Sequence, residues 1–340
     1  MTKPKRISRR TFIKQTGTGA LALSATSLFT LCTPASKLPT RKLGKTDMNV
    51  SIISFGGGSQ FLLNKKGEWE PMLERAVEAG INFFDTAPDY TYRSRLSSEE
   101  RYGEVLHKHR DKIYLATKFD YPDIEKGMRE FEQSLKKLKT DYVDVLFLHA
   151  VGDEPNTLEA IENGNTYSAL VKLKQEGLVK YIGFSSMNHA PDSEEILKRY
   201  DFDVALLSYN PVGITKRVYG DRVIPLANAK GVGVITIKTM RVLAGEKGFM
   251  DLQKRKGKTL PTAKELLQYN LTNKGVTSAL IGFKSMEIME EDIRLAHEIA
   301  NGDLLDMDNK ELEQRVAYME RPEYLPYLDP NYVDGHWDIA

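Results

Sequence analysis

Four polar residues stand where their chemistry can combine: Asp85, Tyr90, Lys118 and His149. Asp85 ends the run Ile81-Asn82-Phe83-Phe84-Asp85, and Tyr90 lies five residues on. Lys118 ends a second run, Ile113-Tyr114-Leu115-Ala116-Thr117-Lys118. His149 ends a third, Val143-Asp144-Val145-Leu146-Phe147-Leu148-His149. Three consecutive strand-like segments therefore each deliver a polar group at the C-terminal end, the face that carries the active site of a parallel β/α barrel. A phenol ionises near pH 10, so it passes protons at neutral pH only with help, and a neighbouring ammonium gives that help. A tyrosine beside a lysine and a histidine is thus a device for proton donation during hydride reduction of a carbonyl. Taken singly the residues have plainer readings. Asp85 is then a turn cap, His149 a satisfied core histidine and Tyr90 one of 16 tyrosines. A lysine closing a buried strand is less ordinary, because it needs a partner.

The elements that must position these groups alternate between strand-like and helix-like patterns, which implies a parallel sheet covered by helices. Strands are predicted over Ile52–Phe55, Ile81–Asp85, Ile113–Lys118, Val143–His149, Tyr181–Ser185, Val204–Leu207, Val232–Lys238 and Ser278–Ile281. Helices are predicted over Met72–Ala79, Met128–Leu138, Leu170–Gln175, Ala263–Asn273 and Met286–Ala300, among others. Eight strand–helix units and 340 residues suit one barrel domain. Three connections are long: Ala150–Asn165, Thr239–Pro261 and Asn301–Ala340. Long segments on the catalytic face are often functional. The tail aromatics Tyr324, Tyr327, Tyr332 and Trp337 either wall a substrate pocket or staple the tail to the barrel.

The order of motifs resembles the aldo/keto reductase family over about Leu38 to Ala300. Arg41-Lys42-Leu43-Gly44-Lys45-Thr46 and Val50-Ser51 resemble the family's opening hairpin. Phe84-Asp85-Thr86-Ala87-Pro88-Asp89-Tyr90, Ser98-Glu99 with Gly103, Thr117-Lys118-Phe119, Leu148-His149 and Gly183-Phe184-Ser185-Ser186 follow in order. The resemblance implies a single (β/α)8 TIM barrel and a nicotinamide-dependent oxidoreductase. Tyr90 is then the general acid and base, and Asp85 keeps Lys118 charged and aimed. His149 orients the substrate carbonyl. The family binds its cofactor at the barrel mouth, which fits the lack of a Rossmann glycine fingerprint after any strand. Gly56 and Gly57 would let the cofactor approach the backbone. Gly282, Lys284 and Ser285, at the start of helix Met286–Ala300, would take the adenosine phosphates. Lys238, Ser185, Ser186 and Asp292 complete the expected contacts. Several positions depart from the family pattern. Ser186 stands for the usual Asn, Leu206 or Ser208 for the usual Gln, and Ile237 for an aromatic. Asp292, beside Glu291, stands where Asn is common. Two acids near an adenosine ribose oppose a 2′-phosphate, whereas Lys284 attracts one; the expectation is NADP(H), with NAD(H) possible. His107 and His109 are two apart on a helical segment, poor geometry for a ligand pair, so no metal is expected.

Charge and the N-terminus bound the setting. Formal net charge is +1, but six bases and no acid fall within the first 35 residues, so the remainder is acidic. That argues against nucleic acid as a partner. Ser8-Arg9-Arg10-Thr11-Phe12-Ile13-Lys14 matches a twin-arginine export signal, followed by an apolar stretch too short and too polar to span a membrane. The expected organisation is a signal peptide over 1–35, the barrel over 38–300, and a C-terminal helix and tail over 301–340. The expected partners are a small carbonyl or alcohol substrate and the twin-arginine export machinery, and the location is periplasmic. No transmembrane helix is expected in the mature protein. Cys32, the only cysteine, sits in a lipobox-like run, although Leu31 is bulky where such sites carry a small residue. Two other function classes remain as alternatives. One is a non-catalytic nicotinamide-binding or sensing protein on the same barrel. The other is a sugar hydrolase, which requires two opposed carboxylates; no second acid is evident at a strand end.

Overall fold

The computed structural model describes residues 37–91, 95–120, 123–152, 157–163, 165–187, 189–212, 219–243 and 260–322. The twin-arginine segment, Cys32 and the four tail aromatics lie outside them. An antiparallel hairpin opens the described chain, with β1 (Thr40–Lys42) paired to β2 (Asn49–Ser51). Eight parallel strands follow: β3 (Ile53–Gly56), β4 (Phe83–Asp85), β5 (Tyr114–Phe119), β6 (Val143–Leu148), β7 (Val179–Ser186), β8 (Val204–Ser208), β9 (Gly233–Ile237) and β10 (Ser278–Ile281). They close into a barrel in chain order, β10 pairing with both β9 and β3. All eight predicted strands are present, with no end moved by more than two residues.

Helices cover the outside of the barrel. Phe55, Phe84, Leu115, Leu146 and Phe184 point outward into a core shared with helical residues such as Trp69, Leu73, Phe131 and Leu170. The opposite side chains fill the barrel itself. Phe83, Val145, Phe147, Ile235 and Leu280 pack there with Leu43, Met48 and Val50, so the hairpin plugs the N-terminal end. Gly44 makes that plug possible. Its φ is +53°, and a Cβ would stand 2.3 Å from the Gly233 nitrogen, so only glycine fits. Every barrel strand is buried along most of its length, the reason each reads as a nearly continuous apolar run.

Helix starts follow their caps rather than the apolar periodicity. The helix expected from Met128 begins at Ile124, where the Asp123 carboxylate accepts from the Lys126 N–H. Ser97 caps helix Ser98–Val105, and Thr262 caps helix Ala263–Leu271, each in a reciprocal box with a glutamate three residues on. Helix Met286–Ala300 has the predicted ends, capped by Ser285. Helix Asn309–Val316 lies within the long C-terminal segment, and helix Thr157–Asn163 within the connection after β6. Among the described residues no helix is long and apolar enough to cross a membrane.

Candidate active site

Parallel register places the polar strand ends at one mouth of the barrel. Asp85 pairs with Ala116 across β4 and β5, and Lys118 pairs with Phe147 across β5 and β6. The Lys118 Nζ donates to Asp85 Oδ2 at 2.8 Å and to the Thr86 carbonyl at 2.7 Å. Both side chains are only 2% exposed, so the ammonium has exchanged water for a carboxylate and a carbonyl. It lies 4.7 Å from the centroid of the Tyr90 ring. Tyr90 is buried, and its carbonyl accepts the Ser98 N–H at 2.8 Å, which ties the loop to a helix start. The His149 ring meets the Tyr90 ring edge-on at 6.4 Å.

A second tyrosine, Tyr102, serves as a contrast. Its hydroxyl donates to the carbonyls of Asp85 (3.2 Å) and Phe55 (3.4 Å). Burial, with the charge of Asp85 adding, holds that hydroxyl protonated well beyond its ordinary range. Tyr102 is a fixed neutral donor that braces the strand end, while Tyr90 is the tyrosine beside the ammonium.

A cavity of about 270 Å³ opens over this cluster. Asp85, Tyr90 and Lys118 line its floor, together with apolar Met187, Leu206, Ile237 and Leu280 and charged Lys238, Lys284, Glu291 and Asp292. Gly56, Ser185 and Gly282 also line it. Of the two positions considered for the missing Gln, Leu206 faces the cavity; Ser208 is buried away from it. His149 is not part of the lining and reaches the site through its contact with Tyr90. Lys238 has a left-handed backbone, φ +59°, which is uncommon outside glycine.

Three expected cofactor residues have other placements. Gly57 is a glycine for packing: a Cβ there would fall 2.2 Å from the Ser98 hydroxyl and 2.9 Å from the Asp85 carbonyl. The Ser186 hydroxyl donates to the Val151 carbonyl at 2.9 Å and is bonded to the Tyr219 hydroxyl at 2.7 Å. Ser285 accepts from the Ile288 N–H as the cap of its helix. None of the three lines the cavity among the described residues.

Two acids matter that strand ends alone do not reveal. Asp120 follows Phe119, and its Oδ1 is 2.8 Å from His149 Nδ1. A second acid therefore does stand at a strand end, and it is bonded to the histidine. Burial raises the proton affinity of Asp120, yet the hydrogen bond and charge of His149, with Lys126 and Lys118 adding, outweigh it and keep the carboxyl below its ordinary value. Asp292 goes the other way. Burial, helped by Glu291, pushes its carboxyl up to about 7, and its Oδ2 has no hydrogen-bond partner among the described residues. His107 and His109 are occupied elsewhere, by the Gly103 carbonyl and by Glu74.

The aldo/keto reductase family model matches residues 53–302, the whole run of barrel strands. The chain belongs to the aldo/keto reductase family. This aldo/keto reductase is 31% identical over 319 residues to the L-galactose dehydrogenase of Arabidopsis thaliana, covering 84% of this chain and 95% of that one. It is 22% identical over 318 residues to the pyridoxal 4-dehydrogenase of Microbacterium luteolum, covering 74% and 91%. Against the L-glyceraldehyde 3-phosphate reductase of Escherichia coli O157:H7 it is 28% identical over 186 residues, and the match spans about half of each chain, 50% and 52%. In fold it is similar to the holo form of the aldo-keto reductase AKR11C1 from Bacillus halodurans, with TM-score 0.62 and 23% identity over 82% of this chain and 95% of that one. The protein is accordingly an oxidoreductase on a (β/α)8 barrel.

The cavity suits the nicotinamide dinucleotide that this family uses. Gly56 and Gly282 meet across the β3–β10 seam, where a Cβ on Gly56 would stand 3.4 Å from the Gly282 nitrogen. Backbone is therefore the surface offered there. Lys238, Lys284 and the buried Asp292 oxygen are the polar groups that would meet phosphate and ribose there.

Proposed function

We propose that this aldo/keto reductase interconverts a small or medium carbonyl compound, an aldehyde, ketone or sugar, with its alcohol. The observation that carries the reading is the buried ammonium of Lys118, held by Asp85 and Thr86 beside the Tyr90 ring at the floor of a cavity. When bound, the nicotinamide supplies or accepts the hydride. Tyr90 gives its phenolic proton to the carbonyl oxygen in reduction and takes it back in oxidation. Lys118 stabilises the phenolate left behind, and Asp85 prevents the ammonium from turning away. The apolar wall of Leu206, Ile237 and Leu280 excludes water from the reacting carbon. The likeness to L-galactose dehydrogenase over nearly its full length makes polyhydroxylated aldehydes the first substrates to try.

NADP(H) is the proposed cofactor, with Lys284 drawing the 2′-phosphate. Glu291 opposes it, while Asp292, whose carboxyl sits near 7, is only partly ionised at neutral pH. Fluorescence titration of NADPH and NADH checks this. Lys284→Ala should weaken NADPH about tenfold or more and leave NADH nearly unchanged; equal loss for both would reject the role.

The twin-arginine segment supports export of the folded protein to the periplasm. The deciding experiment for the activity is a panel of aldoses, aldehydes, ketones and alcohols read at the nicotinamide band, with Tyr90→Phe as control. Turnover that is lost in the variant while cofactor binding persists supports the reading. Tight cofactor binding with no turnover of any panel member would favour the sensing alternative.

A further inference from the structure

Strand register explains why Asp120 and His149 meet. Across β5 and β6, Phe119 pairs with Leu148, and the same offset of 29 carried one step further sets Asp120 beside His149. The contact is therefore built by the sheet, not by a chance rotamer on a loop. The backbone reinforces it, because the His149 N–H donates to the Phe119 carbonyl at 3.1 Å. On the other flank the Val151 N–H donates to the Ser185 carbonyl at 2.8 Å, and the Ala150 N–H to the Ser185 hydroxyl at 2.9 Å.

A ring nitrogen 2.8 Å from an ionised carboxylate carries a proton. Nδ1 is thus committed as a donor to Asp120, and any role of His149 toward substrate falls to Nε2. We propose that Asp120 is the positioning residue for His149: it fixes the imidazole's tautomer and ring orientation and favours its protonated form. The assignment rests on the oxidoreductase reading above only for its consequence in turnover. Coupling is mutual: since His149 holds the Asp120 carboxyl ionised, Asp120 holds the proton on His149. A protonated His149 polarises a carbonyl more strongly in reduction. A neutral one, with Nδ1–H still on Asp120, presents Nε2 as an acceptor in oxidation. Asp120 thereby bears on the direction in which the site works best at a given pH.

Several charged and titratable groups bear on the Asp120–His149 pair. Asp120 lies on the end of β5, and Tyr90 on the loop after β4. Lys118 with its partner Asp85, and Lys126 on the helix after β5, act at longer range. Lys118 and Lys126 both favour the ionised form of Asp120. Asp120, in direct contact, dominates.

The test uses the whole protein labelled with 15N-histidine, free of added cofactor, with the resonance of His149 assigned by His149→Gln. In the wild type the imidazole should keep Nδ1 protonated across the titration. In Asp120→Asn its protonation step should move to lower pH by about one unit, and in Asp120→Glu it should stay near the wild-type position. In turnover, the matching limb of the kcat/KM profile should move with the NMR step, and kcat/KM for carbonyl reduction should fall about tenfold or more. An imidazole with the same tautomer and titration in the wild type and Asp120→Asn overturns the proposal. So does a rate profile that stays put while the imidazole moves. Failure of the oxidoreductase reading would show elsewhere, as Tyr90→Phe retaining turnover, and the NMR comparison needs no substrate.

Discussion

Tyr90→Phe deletes a single oxygen at the cavity floor, and turnover should fall by about 10²–10⁴, the usual worth of a general acid, in steady-state assays with cofactor affinity unchanged. Lys118→Met should lower turnover comparably and also cost about 3–5 kcal/mol in urea denaturation, because it strands a buried carboxylate at Asp85. Asp292 gives a pH prediction. Its carboxyl protonates near 7 in the folded protein and near 4 when unfolded. The folded state therefore holds a proton that the unfolded chain has already lost. The stability that Asp292 contributes should be fully present below about pH 4 and lost as pH rises through 7, by a few kcal/mol at most. Asp292→Asn should flatten that slope in denaturation curves at pH 5 and 8; an unchanged slope would reject it. The sequence made Asp85 and Lys118 legible because each ends an apolar run, and Tyr90 by its spacing after Asp85. Asp120 was not, since it lies past the expected strand end and its partner is a matter of register. Side-chain direction was equally hidden. Ser186 has the right type for an amide contact, but its hydroxyl is engaged by Val151 and Tyr219.

At the scale of elements, close approach of backbones sets what the site can tolerate. Helix Ser98–Val105 packs so tightly on the end of helix Ile124–Leu138 that a Cβ on Gly103 would fall 1.9 Å from the Lys137 carbonyl. Gly103→Ala should lose about 3 kcal/mol or more as the helices are forced apart, and a urea midpoint equal to wild type would contradict this. Its effect should reach the chemistry, since the Ser98 N–H at the start of the same helix donates to the Tyr90 carbonyl. The eight strands were readable because burial on both faces leaves no alternation to confuse them. Helix starts were less so. Asp123 caps a helix that begins four residues before Met128, the position read as its beginning, and a cap is a short-range signal. Gly57 was readable as a required glycine, but not the reason. The structure assigns that to the Ser98 hydroxyl and the Asp85 carbonyl.

For the whole molecule, address and chemistry combine. Reduced nicotinamide is a cytoplasmic currency, so an exported enzyme that released its cofactor at each turnover would fall idle. We therefore predict that the protein retains its nicotinamide and alternates between an alcohol and a carbonyl. Exhaustively dialysed protein recovered from the periplasm should sustain exchange between the two with no cofactor added; activity that returns only on adding cofactor, with micromolar binding, would reject retention. The seam between β3 and β10 has a consequence for how such a protein is made. Gly56 and Gly282 are 226 residues apart in the chain, yet the cavity is not closed until they are neighbours. During synthesis the proposed export signal leaves the ribosome first and the last barrel strand nearly last. A nascent chain arrested before Ser278 should be open to protease and unable to hold a dinucleotide. If the protein is exported folded, cofactor loading then becomes the final step of its biogenesis and doubles as an inspection: only a barrel whose first and last strands have met would carry its cargo out.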